Sequence, residues 1–441
     1  MSVLFPASCD LLVTADYVLT QDAERRTIDG GAVAVTGGRI AALGTREDAA
    51  ATRAAERLEL GNALLMPGLV NAHTHVAMTA FRGLADDLPL MQWLTTEIFP
   101  REEHLTPEIV ELGALLGCAE MIRTGTTAFQ DMYLYEDATA KAAEASGLRC
   151  LLGEGIFASG SKAFASLGET YDLVRDQARR FAAHPRVRIG VMPHAVYTTT
   201  PEILEVCRDL AAELGTMLHI HLSETAEEVA QSLDLFGQRP VAYARERGIL
   251  GPRTSIAHGV VLNDEELDLL AETGTRVVHN PGSNMKLASG VAPVPGMLER
   301  GMLPGLGTDG ASSNNSLNMV MEMRACALLH KVDRMDPAVC GAQGVLDMAT
   351  LGGAAALGWE GLGSLAAGAP ADMIALDCAS PNLLPMYSPA SHLAYAATGH
   401  EVRMTMVEGA VLYLDGAYRS LDYPAVVDEA KKLKAWALAK R

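Results

Sequence analysis

The strongest constraint on this chain is an arrangement that recurs along it: a short apolar run, then a histidine or an aspartate, then a loop. Ala63 to Met66 leads into Pro67-Gly-Leu-Val-Asn-Ala-His-Thr-His75. Met217-Leu218 leads into His219-Ile-His-Leu-Ser-Glu224, and Ser255-Ile-Ala257 into His258-Gly259. Met302 to Gly305 leads into Leu306-Gly-Thr-Asp-Gly310. A parallel α/β barrel presents its site residues in this way, at the carboxyl ends of its strands. Alternate side chains of an extended segment share a face, so His73 and His75 point the same way at a strand end. That suits two imidazoles on one metal ion. Any one of these histidines taken alone reads better as a satisfied core residue. The ordered set carries the reading: two early histidines, one mid-chain, another, then a late aspartate, the order of a metal-dependent hydrolase.

The rest of the chain fits a barrel with a β-rich companion. Residues 10 to 66 read as short strands and turns, with Leu11–Ala15, Gly31–Val35 and Arg39–Leu43 separated by Gly-rich turns. Arg46 to Arg57 reads as a short connecting helix, with Thr45 as its cap. From 67 to about 360, helical stretches alternate with apolar strands. Thr106 and Pro107 open an amphipathic helix that runs to Arg123. Residues 361 to 420 return to strands and turns, and Asp428 to Arg441 reads as a solvated, basic amphipathic helix. The expected fold is therefore α/β: a (β/α)8 TIM-like barrel over 67–360, flanked by a β-sandwich built from 1–66 and 361–441.

Composition removes several function classes. The chain has 441 residues, ample for a barrel of roughly 250–300 residues and a second domain. Its 35 basic and 54 acidic residues give a net charge of -19, and no local basic patch offsets it. Such a surface repels nucleic-acid backbones. No segment approaches the roughly 18 uninterrupted apolar residues of a membrane span. The opening Met1-Ser-Val-Leu-Phe-Pro-Ala-Ser-Cys9 lacks the basic region and apolar length of an export signal. Seven scattered cysteines, none in a Cys-x-x-Cys pair, read as buried free thiols of a reducing cytoplasm. A homo-oligomer acting on a small molecule is the expected assembly.

Four motifs give the chain a family likeness. They are Pro67-Gly-Leu-Val-Asn-Ala-His-Thr-His75, His221-Leu-Ser-Glu224, His279-Asn-Pro-Gly-Ser-Asn-Met-Lys-Leu287 and Gly307-Thr-Asp-Gly-Ala-Ser-Ser-Asn-Asn-Ser316. Over essentially its whole length the chain resembles the amidohydrolase superfamily, and within it the 5'-methylthioadenosine/S-adenosylhomocysteine deaminase branch. The first motif marks the superfamily. The last two are much more specific to the aminopurine deaminases.

The residues name His73, His75, His221 and Asp309 as metal ligands, a set that suits Zn2+ and also admits Fe2+. The resemblance implies that a second ion would need a bridging lysine on the fourth strand; here that strand, Val187 to Pro193, contains none, so one metal is expected. The resemblance implies roles for the other residues. His258 stands beside the attacking water. Asp309 takes that water's proton as it adds to C6 of an adenine ring. Glu224 protonates N1, and ammonia leaves, as in other zinc deaminases where a glutamate that is not a ligand moves the protons. Glu102, after Pro100-Arg101, binds ribose hydroxyls. His194 contacts the purine, and Trp93 and Phe99 wall the pocket.

The chain departs from the branch in one segment. Glu154 stands where members that accept S-adenosylhomocysteine offer an arginine to its carboxylate, and Lys162 is the only nearby cation. Repulsion by Glu154 favours neutral 5'-substituted adenosines such as methylthioadenosine, 5'-deoxyadenosine or adenosine itself. Three alternatives stay open: a deaminase of a larger adenosine such as aminodeoxyfutalosine, a hydrolase of a free base or triazine, and a non-catalytic barrel. The amides and hydroxyls of Ser283, Asn284, Asn314 and Asn315 read equally well as pocket rim and as loop structure.

Overall fold

The computed structural model describes residues 4–160, 163–164 and 166–440. Lys162 lies outside them. Eight parallel strands form the barrel: Leu69–Thr74, Thr126–Tyr133, Arg149–Ile156, the pair Val187–Ile189 and Met192–Pro193, Leu218–Leu222, Thr254–His258, Arg276–His279 and Gly305–Leu306. Two sheets make the wall, joined by parallel bridges from Val191 to Leu218 and from Ala195 to His221. The last strand meets the first where the Asp309 amide donates to the His73 carbonyl at 3.0 Å. The strands are buried along their whole length except at Arg188 in the fourth and Arg276 in the seventh, which face outward. Helices cover the wall in the manner of parallel sheets, whose two faces both lie in the interior.

The helix Pro107–Arg123 starts where the sequence places it, with Thr106 Oγ1 accepting from the Ile109 amide. Its last turn packs near the first barrel strand, and it carries the chain across to the second. Most of the other crossover helices, among them Glu136–Ser146, Pro201–Leu214 and Asp264–Thr273, likewise start beyond the carboxyl end of one strand and lead back to the next.

Strands from both chain ends share one nine-stranded sheet. Its central pairing joins Ala63–Pro67 antiparallel to Met373–Asp377. The sheet branches at Ser8–Leu19, which pairs with Thr27–Thr36 on one side and with two segments on the other. Apolar side chains from the two ends, among them Val13, Val33, Ile40, Met373 and Met404, pack into one interior, the sandwich core.

Two local expectations need correction. Residues 46–52 form turns, and Arg53–Glu59 is a strand paired in parallel with Ser8–Thr14. Thr45 does cap a turn, exchanging hydrogen bonds with Asp48, but the turn does not propagate. Helix propensity in Arg53-Ala-Ala-Glu56 yields to the unpaired backbone edge of the neighbouring strand. The terminal helix begins earlier, spans Tyr423–Ala439, and is packed rather than freely solvated. Trp436 stacks on Phe81 at 5.8 Å, and Leu433 and Ala437 are buried. All seven cysteines are free and buried, and no helix among the described residues is long and apolar enough to cross a membrane.

Candidate active site

The carboxyl ends of the strands converge on a cluster of imidazoles around one carboxylate. His75 Nε2 lies 3.2 Å and His73 Nε2 3.4 Å from Asp309 Oδ1. His221 Nε2 lies 3.3 Å from His75 Nε2. One ligand atom from each of His73, His75 and His221 falls within 4.8 Å of the other two, and the same holds for His73, His258 and Asp309.

The backbone turns sharply as it leaves three of these strands. Ser223, His258 and Asp309 all have positive φ, at 55°, 74° and 61°. A non-glycine residue there costs of order 1 kcal/mol or more, and such strain gathers at functional sites. Glu228 secures the first turn by accepting from the Ser223 and Glu224 amides.

Each imidazole is held by its far nitrogen. His75 Nδ1 faces the Met132 carbonyl, and His221 Nδ1 faces the His194 carbonyl at 2.9 Å. His73 Nδ1 faces His219 Nε2 at 2.9 Å, and His219 Nδ1 in turn faces Ser255 Oγ at 2.7 Å. With Nδ1 as the donor, Nε2 keeps a lone pair directed into the cluster. His73 Nε2 is buried there without a hydrogen-bond partner. Burial brings His73 down to about 4 and His221 well below its usual range, so both are neutral and each offers a lone pair. Burial also lowers His75, but the hydrogen bond and charge of Asp309 outweigh it and bring His75 up to about 9. Asp309 is raised by burial, yet its contacts to His73 and His75 hold it well below the usual carboxylate range. Its other oxygen accepts from Ser283 Oγ at 2.6 Å and Ser313 Oγ at 2.8 Å. Three neutral imidazoles and an ionised carboxylate fit a divalent ion with an open position.

The cluster opens into a cavity of about 720 Å³, measured out to its mouth. Glu224 and His258 share its lining with His75, His221 and Asp309. Glu224 Oε2 lies 3.8 Å from His258 Nε2, and His258 Nδ1 is fixed by Asn284 Oδ1 at 2.9 Å. Burial raises the Glu224 carboxyl, the direction a proton donor needs. Glu102 and Trp93 also line the cavity, and Tyr133 Oη donates to Glu102 Oε1 at 2.7 Å. His194 lies there too, neutral, with its ring stacked on Phe157 at 4.5 Å. Leu90, Leu94, Ile98, Leu134 and Leu287 complete an apolar wall, and no lysine or arginine among the described residues joins it.

The curated relatives agree with the geometry. Residues 64–412 match the amidohydrolase family. The chain belongs to the amidohydrolase family. It is 60% identical over 433 residues to the 5-methylthioadenosine/S-adenosylhomocysteine deaminase of Nitratidesulfovibrio vulgaris, covering 98% of both chains. It is 44% identical over 425 residues to the 5'-deoxyadenosine deaminase of Methanosarcina mazei, covering 96% of this chain and 97% of that one. Within the amidohydrolases it sits in this nucleoside-deaminase-like branch. Its fold superposes on an adenosine deaminase from Xanthomonas campestris with bound zinc, at TM-score 0.96 and 36% identity, over 99% of this chain and 100% of that one.

One sequence-based expectation changes in this amidohydrolase site, and one question left open by the sequence gains an observation. Glu154 does not face the cavity. Its carboxylate accepts from the Tyr135 and Glu136 amides at the start of the helix Glu136–Ser146, at 2.8 and 3.0 Å. Asn314 and Asn315 hold structure: Asn314 Nδ2 donates to Glu322, and Asn315 Oδ1 accepts from Lys286. Sequence reasoning passed over His219. Its signal was present, since His219-x-His221 has the same alternation as His73-x-His75.

Proposed function

We propose that the chain is a metal-dependent hydrolytic deaminase that converts a 5'-substituted adenosine to the matching inosine and ammonia. The supporting observation is the shared cavity: it joins the ligand cluster and Glu224 to the Glu102–Tyr133 pair and an apolar wall. His73, His75, His221 and Asp309 hold one divalent ion, most simply Zn2+, with Fe2+ admitted by the same donors. When bound, that ion supplies Lewis acidity and lowers the pKa of a water towards about 7.

The protein's own groups then divide the work. Asp309 Oδ1 accepts the proton of the attacking water, while Ser283 and Ser313 hold the other oxygen. His258, braced by Asn284, orients that water towards C6 of the adenine and steadies the charge that develops. Glu224 gives its proton to N1, so the ring accepts the electron pair, and the amino group leaves as ammonia once protonated. Glu102 accepts from the ribose hydroxyls, a use of two acceptor oxygens that a free base or triazine could not reward. His194 and Trp93 flank the purine.

The neutral 5' tail follows from the apolar wall, in place of the repulsion by Glu154 that the sequence suggested. Methylthioadenosine and 5'-deoxyadenosine fit it best, adenosine fits, and S-adenosylhomocysteine brings a carboxylate for which the described wall offers no cation. A cytoplasmic homo-oligomer, divided at 1–66, 67–360 and 361–441, is part of the same proposal. The test is ammonia release across methylthioadenosine, 5'-deoxyadenosine, adenosine, S-adenosylhomocysteine and free purine and pyrimidine bases. Turnover of the 5'-modified nucleosides is expected. Turnover confined to free bases would refute the nucleoside reading.

A further inference from the structure

A second group of metal-ligating side chains lies away from the substrate cavity. His279 ends the seventh barrel strand, and Cys326 and His330 lie on the helix Met319–Arg334. The two helical residues are four apart and therefore share a face. His279 Nε2 and His330 Nε2 stand 3.2 Å apart. One ligand atom from each of His279, Cys326 and His330 lies within 4.8 Å of the other two. All three side chains are fully buried, and none lines the cavity that holds Glu224. Cys340, also buried, lies beside Cys326.

We infer that His279, Cys326 and His330, with Cys340 beside them, form a second metal site for a thiophilic divalent ion such as zinc. Zinc–nitrogen bonds of about 2.0–2.1 Å in a tetrahedral shell place two nitrogens about 3.3 Å apart, close to the separation here. Two imidazoles and a thiolate are a nitrogen-and-sulfur donor set of the kind that closed structural zinc sites use. Neither His279 Nδ1 nor His330 Nδ1 has a hydrogen-bond partner. The site therefore lacks the outer support found at His73, His75 and His221 and fills after them. An ion there ties the seventh strand to the helix that follows the eighth, one residue from Asn280, whose amide reaches His258 Nδ1 at 3.4 Å.

The experiment adds Co2+ to the holoenzyme. The ligand set at His73, His75, His221 and Asp309 contains no sulfur, so cobalt exchanging into it gives no thiolate-to-metal charge-transfer band. Cobalt at Cys326 does. The expected result is a near-ultraviolet charge-transfer band that saturates at one added equivalent per chain and is absent in Cys326→Ser, with ammonia release retained. His330→Gln removes an imidazole and keeps the thiol, so it reads the same site should Cys326→Ser fold poorly, and it too should lose the band or weaken cobalt binding at least tenfold. No band at excess cobalt, or a band unchanged in both variants, would overturn the inference.

Discussion

Glu224 and His258 arrive from neighbouring strands and meet with Oε2 and Nε2 3.8 Å apart. Neither is tied down by the other: Glu228 sets the backbone of the first, and Asn284 fixes the ring of the second. A carboxyl raised by burial and an imidazole of fixed orientation can thus serve opposite sides of one reaction.

Glu224→Gln should keep the metal and lose most turnover. The amide preserves shape but cannot deliver a proton, a role worth roughly 10²–10⁴-fold. Metal content by elemental analysis and kcat on one nucleoside check this together. Turnover near the wild-type rate would remove Glu224 from the proton path.

Glu102→Ala should raise KM or lower kcat/KM for ribonucleosides, by roughly 1.5–3 kcal/mol for a lost charged hydrogen bond. Tyr133→Phe should give a smaller change in the same direction, because Tyr133 only orients the carboxylate. Steady-state kinetics that do not move in either variant would mean that the ribose is held elsewhere.

His219→Ala should weaken metal binding by roughly 10–100-fold without removing a ligand. The cause is the lost partner of His73 Nδ1, which frees the ring to adopt the other tautomer. Competition with a chelator, followed by metal content, measures the effect. The wild-type protein should retain about one tightly bound divalent ion per chain and lose activity when that ion is stripped.

The sequence marked the strand ends well and the orientation of side chains along the strands poorly. His219 and His221 share a face, so alternation alone could not say which one reaches an ion. Depth decides: His221 pairs with Ala195 at the rim, and His219 sits two residues further down. Glu154 was misjudged for a related reason. It alternates with Cys150 and Leu152, which pack in the main core, while Leu151 belongs to the barrel interior. Residues 53–59 could not be read as a strand because the edge they pair with lies more than forty positions earlier. The helix from Pro107 was legible because its cap, its proline and its apolar face are all local.

Burial pushes the Glu154 carboxyl up to about 7 from the ordinary glutamate value of 4.5. The folded protein therefore binds this proton more tightly than the unfolded chain does. The stability it contributes is full below 4.5 and is lost as pH rises through about 7. Glu154→Gln cannot titrate and loses one acceptor, so it should be less stable at low pH by about 1–3 kcal/mol. That deficit should shrink as pH rises through this window. Denaturant unfolding of both proteins at matched pH values checks the sign, and a deficit that grows with pH would contradict it.

A neutral, apolar 5' tail should outperform S-adenosylhomocysteine in kcat/KM by roughly tenfold or more, since the described wall offers no cation to replace the water of a tail carboxylate. Both substrates measured in one buffer decide it. Equal rates would point to a cation beyond the described wall.

The hydrogen bond from the Asp309 amide to the His73 carbonyl closes the barrel at the same seam where the ligand cluster forms. During synthesis His73 and His75 emerge first and Asp309 more than two hundred residues later. A growing chain therefore carries two histidines with no carboxylate to complete them until the eighth strand docks. The strand Ala63–Pro67, which leads into them, waits longer still for Met373–Asp377. On the proposed ligand set, loading of the ion is a late event in biogenesis, because a chain interrupted before the eighth strand lacks the Asp309 carboxylate.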